Sequence, residues 1–105
     1  MSTTDFLKKL PEAFKADAAA GTNCTIQFNV SEPAYLVIQD GNCALEEGTA
    51  DSPNLGVTME DDDLVALLKG ELDGMSAFMT GKLQVEGDLM LAQQMGNFFD
   101  QSKLA

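Results

Sequence analysis

Between residues 24 and 59 the chain alternates. Ile26, Phe28 and Val30 fall on one side of a period-two pattern, with Thr25, Gln27 and Asn29 on the other. That pattern predicts a half-buried antiparallel strand whose Thr25, Gln27, Asn29 face meets water. Residues 34–39 predict a second strand with Leu36 and Ile38 turned inward. Asp40-Gly41 is a hairpin turn signal, and a third strand follows over 42–47. Gly48 to Asn54, with Ser52-Pro53 inside it, predicts a loop. Leu55, Val57 and Met59 alternate with Gly56 and Thr58 as a fourth strand, and Leu83 and Val85 alternate with Gln84 and Glu86 as a fifth.

Helical spacing takes over before, between and after these strands. Phe6, Leu7, Leu10 and Phe14 form an apolar stripe among Lys8, Lys9, Glu12, Lys15 and Asp17. Pro11 has no N–H and clashes with the preceding turn, so the stretch divides into a short helix and a second one. The second is expected to start near Pro11 and end at Gly21. Glu60-Asp61-Asp62-Asp63 opens a helix carried by Leu64, Leu67 and Leu68 and stopped by Gly70. Gly74 to Thr80 predicts a short helical turn closed by Gly81. Asp88 reads as an N-cap, because its carboxylate can accept from exposed N–H groups at a helix start. The last helix is expected from Leu89 to about Asp100, on Leu91, Ala92, Met95, Phe98 and Phe99. A run of strands with helices before and after it predicts an α+β fold. The expected form is a five-stranded, mainly antiparallel sheet with helices packed on one face.

Length and charge narrow the function. The 105 residues make a single domain, 1–105. Six Lys, no Arg and 17 acids give a net charge of −11. Nucleic acid binding requires phosphate neutralisation, so no nucleic acid partner is expected. Charge-driven docking to anionic lipid is disfavoured for the same reason. Between Lys15 and Lys69 stand ten acids and no base. That stretch would suit a basic partner protein, or simply keep the chain in solution. No apolar run approaches the ~18 residues of a membrane span, so stable membrane insertion is not expected. Cys24 and Cys43 form no CxxC pair and read as small buried apolar side chains in a reducing compartment. The C-terminus is Ser102-Lys103-Leu104-Ala105, where Ala105 spoils a Ser-Lys-Leu peroxisomal address. A cytoplasmic protein is expected.

Catalytic chemistry finds little support. The absence of His removes His-based triads, His metal ligands and a His pH switch. Ser76 has Lys69 or Lys82 as a conceivable partner, but nothing marks a Ser–Lys dyad. The acids at 60–63 lack the Gly of a calcium loop, and acids in a first helical turn offset the macrodipole by themselves. No catalytic residue, metal or cofactor is therefore expected. The apolar inventory of the second half is distinctive: Met59, Met75, Met79, Met90 and Met95 with Phe78, Phe98 and Phe99. Such residues either fill gaps in an ordinary core or form an adaptable wall for a ligand of variable shape.

Residues 74–95 favour the second reading. Ala77-Phe78-Met79, Gly81-Lys82-Leu83, Val85, Gly87-Asp88 and Leu91-Ala92 resemble the sterol carrier protein type 2 domain. Leu64 to Gly70 and Gly21 to Phe28 also look like that family's bacterial stand-alone members. Many relatives have Trp early in the second strand, where this chain has Ala34 and Tyr35. Many have Gly where Met90 stands, which would reshape a cavity beside the last helix. The resemblance implies a hydrophobic tunnel between sheet and helices. It implies non-catalytic binding and transfer of fatty acid, fatty acyl-CoA, phospholipid or a sterol-like ligand. The tunnel lining is expected to comprise Phe28, Leu68, Met75, Phe78, Met79, Met90, Leu91, Met95, Phe98 and Phe99. Lys82 is either a headgroup contact or a surface Lys. The domain also occurs appended to larger enzymes, so the alternative is an accessory subunit presenting a lipid or isoprenoid substrate to a partner enzyme.

Overall fold

The structure is a computed structural model that describes residues 3–15, 17, 21, 23–91, 98–100 and 103. Its central strand, β1 (Cys24–Asn29), carries the sheet. On one side lies β2 (Ala34–Gln39), antiparallel, followed by the edge strand β3 (Asn42–Glu47). On the other lies β4 (Leu55–Thr58), parallel to β1, followed by β5 (Gln84–Gly87), antiparallel. The order is β3-β2-β1-β4-β5. The sheet is thus mainly antiparallel with one parallel pair. That pair arises because the β2–β3 hairpin and the loop after it carry the chain back to the side of β1 where it began. Asp40 at φ 53 and Gly41 at φ 78 make the hairpin turn that their sequence announces.

Ile26, Phe28, Leu36, Ile38, Leu55 and Val57 form the covered face of the sheet, each no more than 1% exposed. Over them lie Phe6 and Leu7 from α1 (Thr3–Leu7), Leu10 and Ala13 from α2 (Leu10–Ala13), and Leu64 and Leu68 from α3 (Asp61–Lys69). Ala77 comes from α4 (Gly74–Met79). Helix α3 begins after Glu60, whose backbone is extended, and ends at Gly70, whose φ of 84° is the left-handed stop that Gly adopts without penalty. Asp88 caps the next helix as anticipated: its Oδ1 accepts from the N–H groups of Met90 at 3.0 Å and Leu91 at 3.2 Å. Leu89, Met90 and Leu91 are helical. Ala92 and Met95 lie outside the described residues.

Three expectations change. Gln27 does not face water. It is 2% exposed, because the loop after β3 folds across it. Its Nε2 donates to the carbonyls of Ala34 at 3.1 Å and Gly48 at 3.2 Å, and its Oε1 accepts from the N–H of Ala50 at 2.7 Å. Burial of the amide is offset by these bonds. Second, the helix after Pro11 ends at Ala13, well before Gly21. Phe14 is extended, at φ −64° and ψ 130°. Third, Phe99 is not helical. It forms an isolated antiparallel bridge with Phe14. The second and third changes have one cause: pairing between these two segments replaces helix in both.

Candidate functional site

The ten residues expected to line a tunnel do not come together as one wall. Phe28, Leu68, Leu91, Phe98 and Phe99 are buried in the single apolar core. Met75, Phe78, Met79 and Met90 lie at the surface. Met95 is outside the described residues. The exposed Met side chains therefore do not fill the interior as gap-fillers. That space is taken by Phe and Leu rings and branches instead, Phe6, Leu7, Leu10, Phe98 and Phe99 among them. The cause is the placement of α4. Only Ala77 of that helix is buried, so its three large apolar side chains point away from the sheet.

The C-terminal segment meets the end of the N-terminal helices through backbone bonds. The N–H of Lys15 donates to the carbonyl of Phe98 at 2.6 Å, and the N–H of Asp100 donates to the carbonyl of Ala13 at 2.7 Å. Between these bonds the rings of Phe14 and Phe99 meet with centroids 6.1 Å apart and planes tilted by 58°. Tilted pairs suit the ring quadrupoles. Phe98 and Phe99 are both 2% exposed, while Phe14 is half-buried at the rim. Two large side chains thus sit in the core beside a backbone bridge to residues 13–15. Phe14 was legible in the sequence as part of a helical stripe, but nothing local marked it as the partner of Phe99.

The polar chemistry of the molecule lies elsewhere. Asp61 opens α3, and its carboxylate accepts from the N–H of Ser31 at 2.9 Å, from Ser31 Oγ at 2.5 Å and from Thr3 Oγ1 at 3.1 Å. These bonds, those from Ser31 first, hold its carboxyl below the ordinary carboxylate range. Both Cys are free thiols. They flank Ile38 on neighbouring strands, Cys24 on one side and Cys43 on the other. Two strand spacings put their backbones ~10 Å apart, too far for a disulfide. Burial pushes the Cys43 thiol up to about 12, with the nearby Cys24 adding to the effect. Burial raises Cys24 as well, and the charge of Asp88 adds to it. A raised thiol pKa lowers the share of thiolate, the nucleophilic form. Lys82 is exposed in the turn after α4. Among the described residues no group of three or more His, Cys, Asp or Glu is placed to hold a metal ion.

The fold is an α+β domain with an apolar core between its sheet and helices. The SCP-2 sterol transfer family model matches residues 4–100, and the chain belongs to that family. Membership gives the domain its general character, lipid binding and transfer without catalysis. The chain is 29% identical over 101 residues to peroxisomal multifunctional enzyme A of Dictyostelium discoideum, covering 95% of this chain and 21% of that protein. Among solved structures, the sec-alkylsulfatase Pisa1 from Pseudomonas sp. matches with a TM-score of 0.80 at 18% identity, over 87% of this chain and 15% of that one. The palmitated sterol carrier protein 2-like 2 of Aedes aegypti matches with a TM-score of 0.66 at 21% identity, over 92% and 93% of the two chains. The chain spans between 12% and 21% of the length of the curated relatives it matches. Among the described residues no helix is long and apolar enough to cross a membrane.

Proposed function

We propose that the domain binds a single long-chain acyl lipid, as fatty acid, acyl-CoA or phospholipid, in the space that Phe98 and Phe99 occupy. The wall is then Phe28, Leu68 and Leu91 with the faces those two rings leave behind. The observation that carries this reading is the bridge between residues 13–15 and 98–100. It joins the segment that carries two buried Phe rings to residues 13–15 through two backbone hydrogen bonds and a ring contact among the described residues. Releasing it exposes apolar walls without dismantling the sheet. The Aedes aegypti neighbour, solved palmitated, supports an acyl chain as the ligand class. Thermal melting of delipidated protein tests the proposal. At a palmitate concentration ~100-fold above Kd, binding stabilises by ~2.7 kcal/mol. In a domain of this size that raises Tm by roughly 10 °C. An unchanged Tm with fatty acid, acyl-CoA and phospholipid alike overturns the reading.

A second reading is favoured by the two long matches, in which a domain of this kind makes up 21% of the Dictyostelium enzyme and 15% of the Pseudomonas sulfatase. In that reading the domain presents its lipid to a catalytic partner. Recovery of one stable enzyme partner with the tagged full chain separates it from free transfer. We place the protein in the reducing cytoplasm, a reading supported by its two unpaired thiols and tested by imaging a tagged full chain.

A further inference from the structure

Strand β5 is an edge of the sheet. It pairs with β4 on one side, and among the described residues no strand lies beyond it. Gln84, Glu86 and Gly87 are exposed and Val85 is half-buried. The pairing with β4 fixes which backbone groups point outward. The N–H of Asp88 donates to the carbonyl of Asn54 at 3.1 Å, and a Cβ on Gly56 would stand 3.8 Å from the carbonyl oxygen of Glu86. The bonding groups of Gln84 and Glu86 therefore face β4, because such groups alternate along an antiparallel strand. Alternation leaves the carbonyl of Leu83, both groups of Val85 and the N–H of Gly87 on the outer side. The N–H of Leu83 is already engaged, donating to the carbonyl of Ala77 at 3.1 Å. An unpaired row of this kind is a template for another strand.

The sequence of this edge selects the strand that fits it. Lys82-Leu83-Gln84-Val85-Glu86-Gly87-Asp88 is complementary to its own reverse about Val85. In that two-fold antiparallel register Lys82 falls opposite Asp88 of the other copy, Gln84 opposite Glu86, Leu83 opposite Gly87, and Val85 opposite Val85. Each Val85 N–H then donates to the other Val85 carbonyl, and each Gly87 N–H to the other copy's Leu83 carbonyl. No bond of this set needs the engaged Leu83 N–H. Each Glu86 has as diagonal neighbours one Glu86 and one Lys82 of the other copy, which offset one another. The opposite edge, β3, lacks this pattern: residues 42–47 hold Glu46 and Glu47 and no base, so two copies would set acids together. The rest of the molecule opposes association, −11 against −11, with Glu71 and Asp73 among those acids. Salt screens that long-range repulsion and leaves the backbone bonds intact.

We propose that β5 is a dimerisation edge, at which two copies of this chain pair antiparallel about Val85 and join their sheets. A strand this short makes a small contact, so a weak, concentration-dependent dimer is expected. Sedimentation equilibrium of the full chain over a wide range of concentration tests it. The dimer is expected to tighten from low to physiological ionic strength. Amide exchange at Val85 and Gly87 is expected to slow as the dimer fills. Val85→Pro deletes the central donor of each copy on a sheet edge, where Pro is tolerated, and should leave a folded monomer. Gln84→Lys, opposite Glu86, should lower the dimer Kd about fivefold, and Gln84→Glu should raise it about fivefold, two copies of one cross-strand pair's worth. Glu47→Gln changes the net charge as much as Gln84→Lys does, but on the other edge, and should not match its effect. If Val85→Pro fails to fold, the two variants at the exposed Gln84 decide. A monomer at every concentration and salt, protection of Val85 and Gly87 that ignores concentration, or a dimer indifferent to both Gln84 variants overturns the proposal.

Discussion

Phe14 and Phe99 meet as an isolated antiparallel bridge, and their rings touch where the end of the N-terminal helices meets the returning C-terminal segment. Phe14→Ala removes the rim half of the contact and leaves Phe98 and Phe99 in place. The expected cost is ~1–2 kcal/mol, from the lost ring pair and the lost partial burial. Exchange of a bound fluorescent fatty acid, followed by stopped flow, should quicken in proportion. Phe99→Ala should cost ~3–5 kcal/mol as a core truncation, and added palmitate should restore part of it. Slower or unchanged exchange in Phe14→Ala would show that the bridge is not the gate.

Gln27 pins the 48–50 loop across the sheet. Gln27→Leu keeps the volume but leaves the carbonyls of Ala34 and Gly48 and the N–H of Ala50 without these partners. Ala34 is buried, whereas Gly48 is exposed and Ala50 half-buried; a buried polar group left stranded costs ~1–3 kcal/mol, so a loss of about that size is expected in urea unfolding. Hydrogen exchange at the Ala50 amide should rise with it. A neutral substitution would mean that the loop simply relaxes into water.

Gly87 has a backbone reason to be Gly. Its φ is 101°, and a Cβ there would collide with the carbonyl of Asn54. That carbonyl accepts from Asp88 N–H at 3.1 Å, while Asn54 exchanges bonds with Thr25 through its N–H and its Oδ1, each at 2.9 Å. Displacing Asn54 would therefore loosen β1 and the start of the last helix together. Gly48 has a similar φ of 109° but open space around its Cβ position. Gly48→Ala should cost only the conformational strain, ~1–2 kcal/mol, and Gly87→Ala clearly more. Equal costs in thermal melts would remove the steric argument.

Asp61 gives a pH dependence with a definite sign. Its carboxyl is held below its ordinary value in the folded protein, chiefly by the hydrogen bonds from Ser31. Its contribution is therefore present above the unfolded pKa of ~4 and is lost as pH falls through the lowered folded value. Asp61 is only partly buried, so solvent screening limits the effect to about 1 kcal/mol or less. Asp61→Asn should be less stable than the unmodified protein at neutral pH, with the difference shrinking in strong acid. A gap that persists in acid would assign the effect to packing.

Most local elements were legible in the sequence. Period-two alternation identified four strands, the Asp40-Gly41 turn the hairpin and with it the third strand, Gly70 the end of α3 and Asp88 the cap of the next helix. Each of these is decided by forces acting within a few residues: which faces alternate, which N–H lacks a partner, which residue tolerates positive φ. Tertiary structure alone decided that β4 runs parallel to β1, that a loop buries Gln27, and that Phe14 leaves its helix to pair with Phe99. It also decided that Met75, Phe78 and Met79 face outward although the sequence marks them as apolar. Hydrophobicity tells which side chains gain by leaving water, but the surface that covers them is supplied by segments far away along the chain. On α4 only Ala77 is buried, and its three largest apolar side chains are left facing outward.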